Sequence, residues 1–107
     1  MPDLTPKFRT MLATIARHFS TTPPYPAIGL SDFQLSKRNH EQVAVLPLSQ
    51  DLRSPRVPQA TELSMKQFDD DALLVLYLDD ETRWFRTQQQ LQRILDEFFF
   101  GYATRAR

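Results

Sequence analysis

The fold of this chain depends most on residues 72–102, which read ALLVLYLDDETRWFRTQQQLQRILDEFFFGY. The first seven residues are apolar, a run far shorter than the roughly 20 residues that cross a membrane. Acidic residues bound this run at 69–71 and 79–81, and its lack of polar alternation is typical of a strand buried on both faces. Residues 82–87 form a second short run. The stretch therefore predicts a strand, a tight turn, a second strand and a helix.

The helix is predicted over residues 88–102. Thr87 and Gln90 have the S/T-x-x-E/Q spacing of a capping box, in which each side chain accepts a hydrogen bond from the other residue's backbone N–H. Gly101 is a candidate C-terminal stop. Phe100 lies half a turn from the apolar face, so it is either an isolated exposed aromatic or part of a second surface that faces a partner. The apolar face itself consists of Leu91, Ile94, Leu95, Phe98, Phe99 and Tyr102.

A second amphipathic helix is predicted over residues 3–20. Thr5 is a candidate N-cap because Pro6 after it is tolerated at the first helical position, and Asp3 is the alternative cap. The outer face is basic, which favours a solvated surface and leaves an acidic or phosphate-bearing partner as the alternative. The apolar residues fall on one narrow stripe: Leu4, Phe8, Met11, Leu12, Ile15 and Phe19.

The region after this helix predicts a connector and a hairpin. Residues 20–26 contain three prolines and predict a rigid extended connector, with Tyr25 packed on the core. Alternation and β-branched residues within 28–48 predict two strands with a turn at 37–40. Pro47 indicates either an edge strand or the end of a strand.

Two further segments precede the apolar run. Residues 49–59 contain two prolines among polar residues and predict an irregular surface loop. Residues 60–68 are ambiguous, because alternation favours a strand whereas Thr61 would cap a short helix. We favour the strand, which would give the apolar run a neighbour.

These elements predict one α+β domain over residues 1–107. The order is α-β-β-β-β-β-α, in which a largely antiparallel sheet of four or five strands carries the N-terminal and C-terminal helices on one face. A chain of 107 residues is long enough for a single core and too short for two.

The composition argues against several kinds of site. The absence of cysteine excludes disulfides and thiolate ligands and suits a reducing compartment; with no apolar signal segment, cytoplasm is expected. Two glycines are too few for a glycine-rich phosphate cradle, and His18 and His40 lack a second ligand at helical spacing. The acidic groups at 69–71 and 79–81 flank one strand, too far apart for one cation site. We therefore expect no cofactor, no metal and no enzymatic activity.

Residues 83–86 contain the main candidate contact. On a strand, Trp84 and Arg86 point to one face and Arg83 and Phe85 to the other, so one aromatic belongs to the core and one to the outer face. Either arginine stems cover the outer aromatic, or the set forms an exposed patch of the kind that binds proteins or stacks on bases. Together with Phe100, these four residues are the candidate protein-contact site.

No motif specifies a function, and the favoured hypothesis is a non-enzymatic, cytoplasmic protein-binding module from a bacterium. We expect a homodimer that contacts another protein and no membrane, as an adapter, a secretion or assembly chaperone, or a regulator of another protein would.

The alternative is a nucleic-acid-binding transcriptional regulator. The chain's net charge of zero counts against this alternative, because the neutralisation of phosphates supplies most of the sequence-independent affinity for nucleic acid. A small enzyme with an unrecognised site is the third hypothesis. The phosphate contacts of the nucleic-acid-binding alternative would come from the N-terminal helix and from the turn at residues 37–38: Lys7, Arg9, Arg17, Lys37 and Arg38.

Overall fold

The computed structural model describes residues 4–68 and 72–100. Over these ranges the chain forms two α-helices and a five-stranded antiparallel sheet, which confirms the α+β class. The helices are α1 (Pro6–Ser20) and α2 (Gln88–Phe98), and the strands are β1 (Gln34–Arg38), β2 (Glu41–Pro47), β3 (Glu62–Phe68), β4 (Leu74–Leu78) and β5 (Glu81–Phe85).

The sheet is a meander in which each strand pairs antiparallel with the next one along the chain. Paired residues on neighbouring strands point to the same side, so the register arranges the side chains in rows across the sheet. The helices cover one side, where strand residues such as Ala44, Met65 and Leu76 share a core with Phe8 of α1 and Leu95 of α2.

Helix α1 has the predicted cap, Thr5, and begins at Pro6, three residues after the start of the predicted range. The Thr5 Oγ1 accepts a hydrogen bond from the Phe8 N–H at 3.3 Å, and Pro6 is the first helical residue. The alternative cap, Asp3, lies outside the described residues. Every residue of the predicted apolar stripe is buried.

Helix α2 has the predicted capping box but is shorter than predicted. The Thr87 Oγ1 accepts from the Gln90 N–H at 3.1 Å, and the Gln90 Oε1 accepts from the Thr87 N–H at 3.2 Å. The predicted continuation to residue 102 is wrong, because the helix ends at Phe98 and Phe99 leaves helical geometry. Phe99 instead buries its ring edge-on against Phe19, with the ring centroids 4.8 Å apart. The candidate stop Gly101 and the face residue Tyr102 lie outside the described residues.

The hairpin predicted within 28–48 is present as β1 and β2. Its turn residues Asn39 and His40 both have positive φ, 51° and 68°, as a two-residue hairpin turn requires. Pro47 is the last residue of β2, which lies between β1 and β3. The prediction of a strand end is therefore confirmed and that of an edge strand is wrong.

The segments predicted before the apolar run also have definite outcomes. Residues 62–68 form β3, so the strand interpretation is confirmed and the helix capped by Thr61 is wrong. The loop at 49–59 is irregular apart from a short 3-10 helix, Gln50–Leu52. Tyr25 packs against Phe19 with the ring centroids 5.2 Å apart, as predicted. The prediction of an extended connector is wrong for residues 21–25, which form turns: the Tyr25 N–H donates to the Thr22 carbonyl at 3.1 Å.

Strand β4 lies inside the sheet, as the apolar run predicts. Four of its five residues are buried, and only Tyr77 is half-exposed.

A buried polar network fixes the start of α1 on strands β2 and β3: the Thr5 N–H donates to Gln42 Oε1 at 2.7 Å, and the Gln42 side-chain amide donates to Gln67 Oε1 at 3.3 Å. The sequence did not predict these buried glutamines.

Candidate functional site

The side of the sheet away from the helices is the candidate functional surface, and we call it the open face. Its central row runs across all five strands, and a second row lies beside it. Phe68, at the end of β3, lies on the same face opposite Glu41. The central row consists of Ser36, Val43, Lys66, Val75 and Trp84, and the second row of Gln34, Val45, Ser64, Tyr77 and Thr82.

Two aromatic side chains project from the open face. Trp84 is 61% exposed and Phe68 is 58% exposed. Val75 lies on the same face but is only 5% exposed, because Lys66 and Trp84 stand directly opposite it on the two neighbouring strands. The open face therefore exposes two large aromatic side chains beside a buried valine, and exposed apolar side chains of this size favour contact with another surface.

Lys66 gives this face its central positive charge. Its Nζ lies 5.1 Å from the centroid of the Tyr77 ring, within the range of a cation–π interaction. The contact holds both side chains along the sheet and leaves the ammonium group at the middle of the face.

The structure divides the predicted contact residues between the two sides of the sheet. Trp84 is on the open face and Phe85 is in the core at 1% exposure, which confirms the predicted alternation. Burial removes Phe85 from the candidate contact set. Arg86 is exposed directly after β5, with its backbone N–H donating to Gln90 Oε1 at 2.6 Å. Phe100 is half-exposed and lines a separate depression beside Tyr25.

Arg83 lies on the helix side, where an ion-pair cluster holds it. Its Nη2 lies 3.0 Å from both Glu97 Oε2 and Glu81 Oε1, and its Cζ lies 4.9 Å from the centroid of the Phe98 ring. Arg56 also pairs with Glu97. The hydrogen bond with Arg83 lowers the pKa of Glu97, and that bond raises the pKa of Arg83. These groups fasten α2 to β5 and so give Arg83 a structural role.

Lys66, Phe68 and Tyr77 join Trp84 on this surface, although sequence reasoning did not select them. The alternation of Ser64, Lys66 and Phe68 along one strand shows that they share a side, but the strand pairing decides which residues stand beside Trp84. The strand pairing is known only once the structure gives the register of the sheet.

The basic residues of the nucleic-acid hypothesis are divided between helix α1 and the two sides of the sheet. The Lys7 Nζ donates to the Ala72 carbonyl at 2.9 Å. Lys37 stands opposite the buried Gln42 and points to the helix side, whereas Arg38 stands opposite Glu41 on the open face. The remaining two, Arg9 and Arg17, are exposed on α1.

His18 lies outside the predicted apolar stripe of α1, yet it is buried where α1 meets the end of α2. Its Nε2 lies 2.7 Å from the Phe99 carbonyl oxygen, and its Nδ1 lies 2.8 Å from Gln92 Nε2. Because a carbonyl only accepts, Nε2 carries the proton and Nδ1 accepts from the amide. His18 therefore joins the two helices.

Comparisons with family models, with curated proteins and with solved structures find no match for this chain. Across 4–68 and 72–100, no group of three or more potential ligands could hold a metal ion, and no helix is long and apolar enough to span a membrane. The acidic residues at 69–71 lie outside these ranges, and Asp79–Asp80 forms the β4–β5 turn. Function must therefore be inferred from the geometry of the open face.

Proposed function

We propose that this protein is a non-enzymatic, cytoplasmic module that binds another protein chain through its open face. The observation that supports this proposal is the exposure of Trp84 and Phe68 on a sheet side that also carries Val43, Val45 and Val75. In a two-layer fold, the outer side of an antiparallel sheet is ordinarily polar because it faces water. Here Trp84 and Phe68 stand among the polar residues of that side, and two exposed aromatic side chains are suited to a second surface.

Trp84 is large enough to act as an anchor. A tryptophan buries up to about 250 Å², so a side chain that is 61% exposed offers about 150 Å² to a partner. At about 25 cal/mol per Å², its complete burial contributes about 4 kcal/mol as an upper value. This is the size of a binding hot spot, for which tryptophan is among the preferred residues.

The electrostatics of the chain favour a binding role over catalysis. The described groups with shifted pKa values, Arg83 and Glu97, pair with each other on the covered side of the sheet. The open face instead carries two exposed aromatic side chains and three valines among polar residues, with Lys66 at its centre. Such a surface suits an adapter, a secretion or assembly chaperone, or a regulator of another protein.

Photo-crosslinking tests this proposal. Trp84 is replaced by p-benzoylphenylalanine in the organism of origin, and Leu30, which is 45% exposed but lies outside the open face, is replaced in a matched control. We expect a covalent adduct of discrete mass from position 84 and none from position 30. Equal labelling at both positions, or no adduct at position 84, would contradict the proposal.

A further inference from the structure

We infer that the partner supplies an extended segment that pairs antiparallel with the free edge of β5, with an apolar residue opposite Trp84 and a carboxylate beside Arg86. This inference rests on the proposed function, since it names the form and the chemistry of the partner chain. The observation behind it is that backbone hydrogen-bonding groups of β5 point out of the sheet next to the exposed Trp84 ring.

Strand β5 is the last strand of the sheet and pairs on one side only, with β4. The turn between them has two residues, so the pair beside it, Leu78 and Glu81, is hydrogen-bonded. Hydrogen-bonded and non-hydrogen-bonded pairs alternate along an antiparallel ladder. Every second residue of β5 from Glu81 onward therefore bonds to β4, whereas the backbone groups of Thr82 and Trp84 point away from the sheet.

Two contacts outside the ladder agree with this alternation. The Thr82 carbonyl accepts from Arg83 Nη1 at 3.1 Å, and the Arg86 N–H donates to Gln90 Oε1 at 2.6 Å. Both backbone groups therefore point away from β4. Between them, the N–H and the carbonyl of Trp84 have no partner in the described part of the chain. With the Thr82 N–H, they are the groups that an added strand can bond.

The edge of β5 lacks the usual protection against strand addition. Natural edge strands are commonly protected by lysine, proline or a bulge. Residues Glu81–Phe85 contain neither lysine nor proline, and their pairing with β4 is continuous. The opposite edge, β1, carries Lys37 and Arg38. The β5 edge is therefore the one better suited to an extended partner segment.

The side chains beside this edge specify the chemistry of the segment. The Trp84 ring is 61% exposed, and a β-branched or aromatic side chain directly opposite would cover it. Arg86 is exposed, and its guanidinium has no ion pair in the described part of the chain. In an antiparallel pairing, a carboxylate two residues before the apolar one lies beside Arg86. The expected pattern is Asp or Glu, any residue, then the apolar residue.

The length of the edge favours a separate segment over a second copy of this chain. Strand β5 has five residues, a length of about 16 Å, and two rigid domains joined through it would touch along that length only. Specific interfaces between folded proteins bury about 800 Å² from each partner. An extended segment is not limited to the edge, because it can also bend over the Trp84 ring on the open face.

Proline at position 82 tests the strand addition. An edge strand tolerates proline where the N–H faces away from the sheet, so Thr82→Pro removes a free donor without breaking a bond to β4. Thr82→Val is the matched control, since it keeps the N–H and the shape. Both are combined with the crosslinker at position 84. We expect Thr82→Pro to reduce the adduct at least tenfold and Thr82→Val to leave it unchanged, with urea denaturation showing that both variants fold.

Exchange of Arg86 tests the chemistry of the segment. We expect Arg86→Glu to reduce the adduct at position 84 about tenfold, because it places two like charges side by side. Arg86→Lys is the control, since it keeps the charge and should retain most of the adduct. Mass-spectrometric mapping should find an acidic residue shortly before the crosslinked residue of the partner.

Amide exchange followed by NMR tests the edge without any substitution, and so decides even if the proline variant does not fold. In the isolated chain, the Thr82 and Trp84 amides should exchange with water at least tenfold faster than the Arg83 amide, which bonds to β4. Equal protection of the three amides would overturn the inference.

The crosslinking outcomes separate this inference from the proposed function. An adduct that survives both Thr82→Pro and Arg86→Glu shows binding to the open face without the edge, so the proposed function stands and the strand addition is wrong. An adduct with the mass of two copies of this chain overturns the separate segment. If position 84 gives no adduct without these substitutions, both are wrong.

Discussion

Ser54 provides the sharpest test of how the 48–61 segment is held against α2. This side chain is completely buried. Its Oγ donates to the Phe98 carbonyl at 2.6 Å and accepts from the backbone N–H groups of Val57 at 3.1 Å and Arg56 at 3.2 Å. Phe98 is the last residue of α2, so its carbonyl has no partner within the helix. One hydroxyl thus satisfies three backbone groups.

The substitution Ser54→Ala removes all three hydrogen bonds at once. A buried group left without a partner costs about 1–3 kcal/mol. The Arg56 N–H is only partly buried and can turn to water, so the Phe98 carbonyl and the Val57 N–H account for most of the effect. We expect a loss of about 2–4 kcal/mol in the free energy of unfolding, out of about 5–15 kcal/mol for a typical domain.

Urea denaturation followed by circular dichroism measures this loss. The matched control is Ser49→Ala, because Ser49 is exposed and precedes the Gln50–Leu52 helix without a side-chain cap hydrogen bond. The control should change the free energy of unfolding by less than about 0.5 kcal/mol. If Ser54→Ala has an equally small effect, the hydroxyl does not support these backbone groups and the reasoning is wrong.

Two further predictions concern the contacts of α2. Because the pKa of Glu97 is lowered from its usual 4.5, its pairing with Arg83 stabilises the fold above about pH 4.5 and is lost as the pH falls through the folded-state pKa; the destabilisation by Glu97→Gln should therefore shrink in acid, and a pH-independent difference in urea denaturation would contradict this. In a double-mutant cycle, His18→Ala and Gln92→Ala should show a coupling of about 1 kcal/mol, whereas additive effects would show that their 2.8 Å contact contributes nothing.

The sequence predicts the helices and hairpins because their signals are local. Thr5 before Pro6, and Thr87 with Gln90, specify two helix starts through bonds that span three residues. The end of α2 is not local, since Phe99 leaves the helix to pack on Phe19, which belongs to the first helix of the chain. Apolar periodicity therefore overestimates the length of α2.

The same distinction explains what the sequence predicts about the candidate site. Alternation along β5 separates Trp84 from Phe85, and the structure places them on opposite sides of the sheet. Alternation does not show that Arg83 pairs with Glu97, or that Lys66 stands two strands away from Trp84 in the same row. Those relations depend on tertiary packing and on strand register, and the sequence of a single strand does not show either of them.

The contact between α1 and α2 has a consequence for the order of events on the ribosome. Each strand of the meander can pair with its neighbour soon after synthesis, because short loops close at little entropic cost. His18, however, is hydrogen-bonded to Gln92 and Phe99, at the end of the described part of the chain. The first helix made must therefore wait for the last one before its buried histidine is satisfied. A chain stalled before α2 would present a nearly finished sheet to chaperones, with the core residues that α2 covers still open to water.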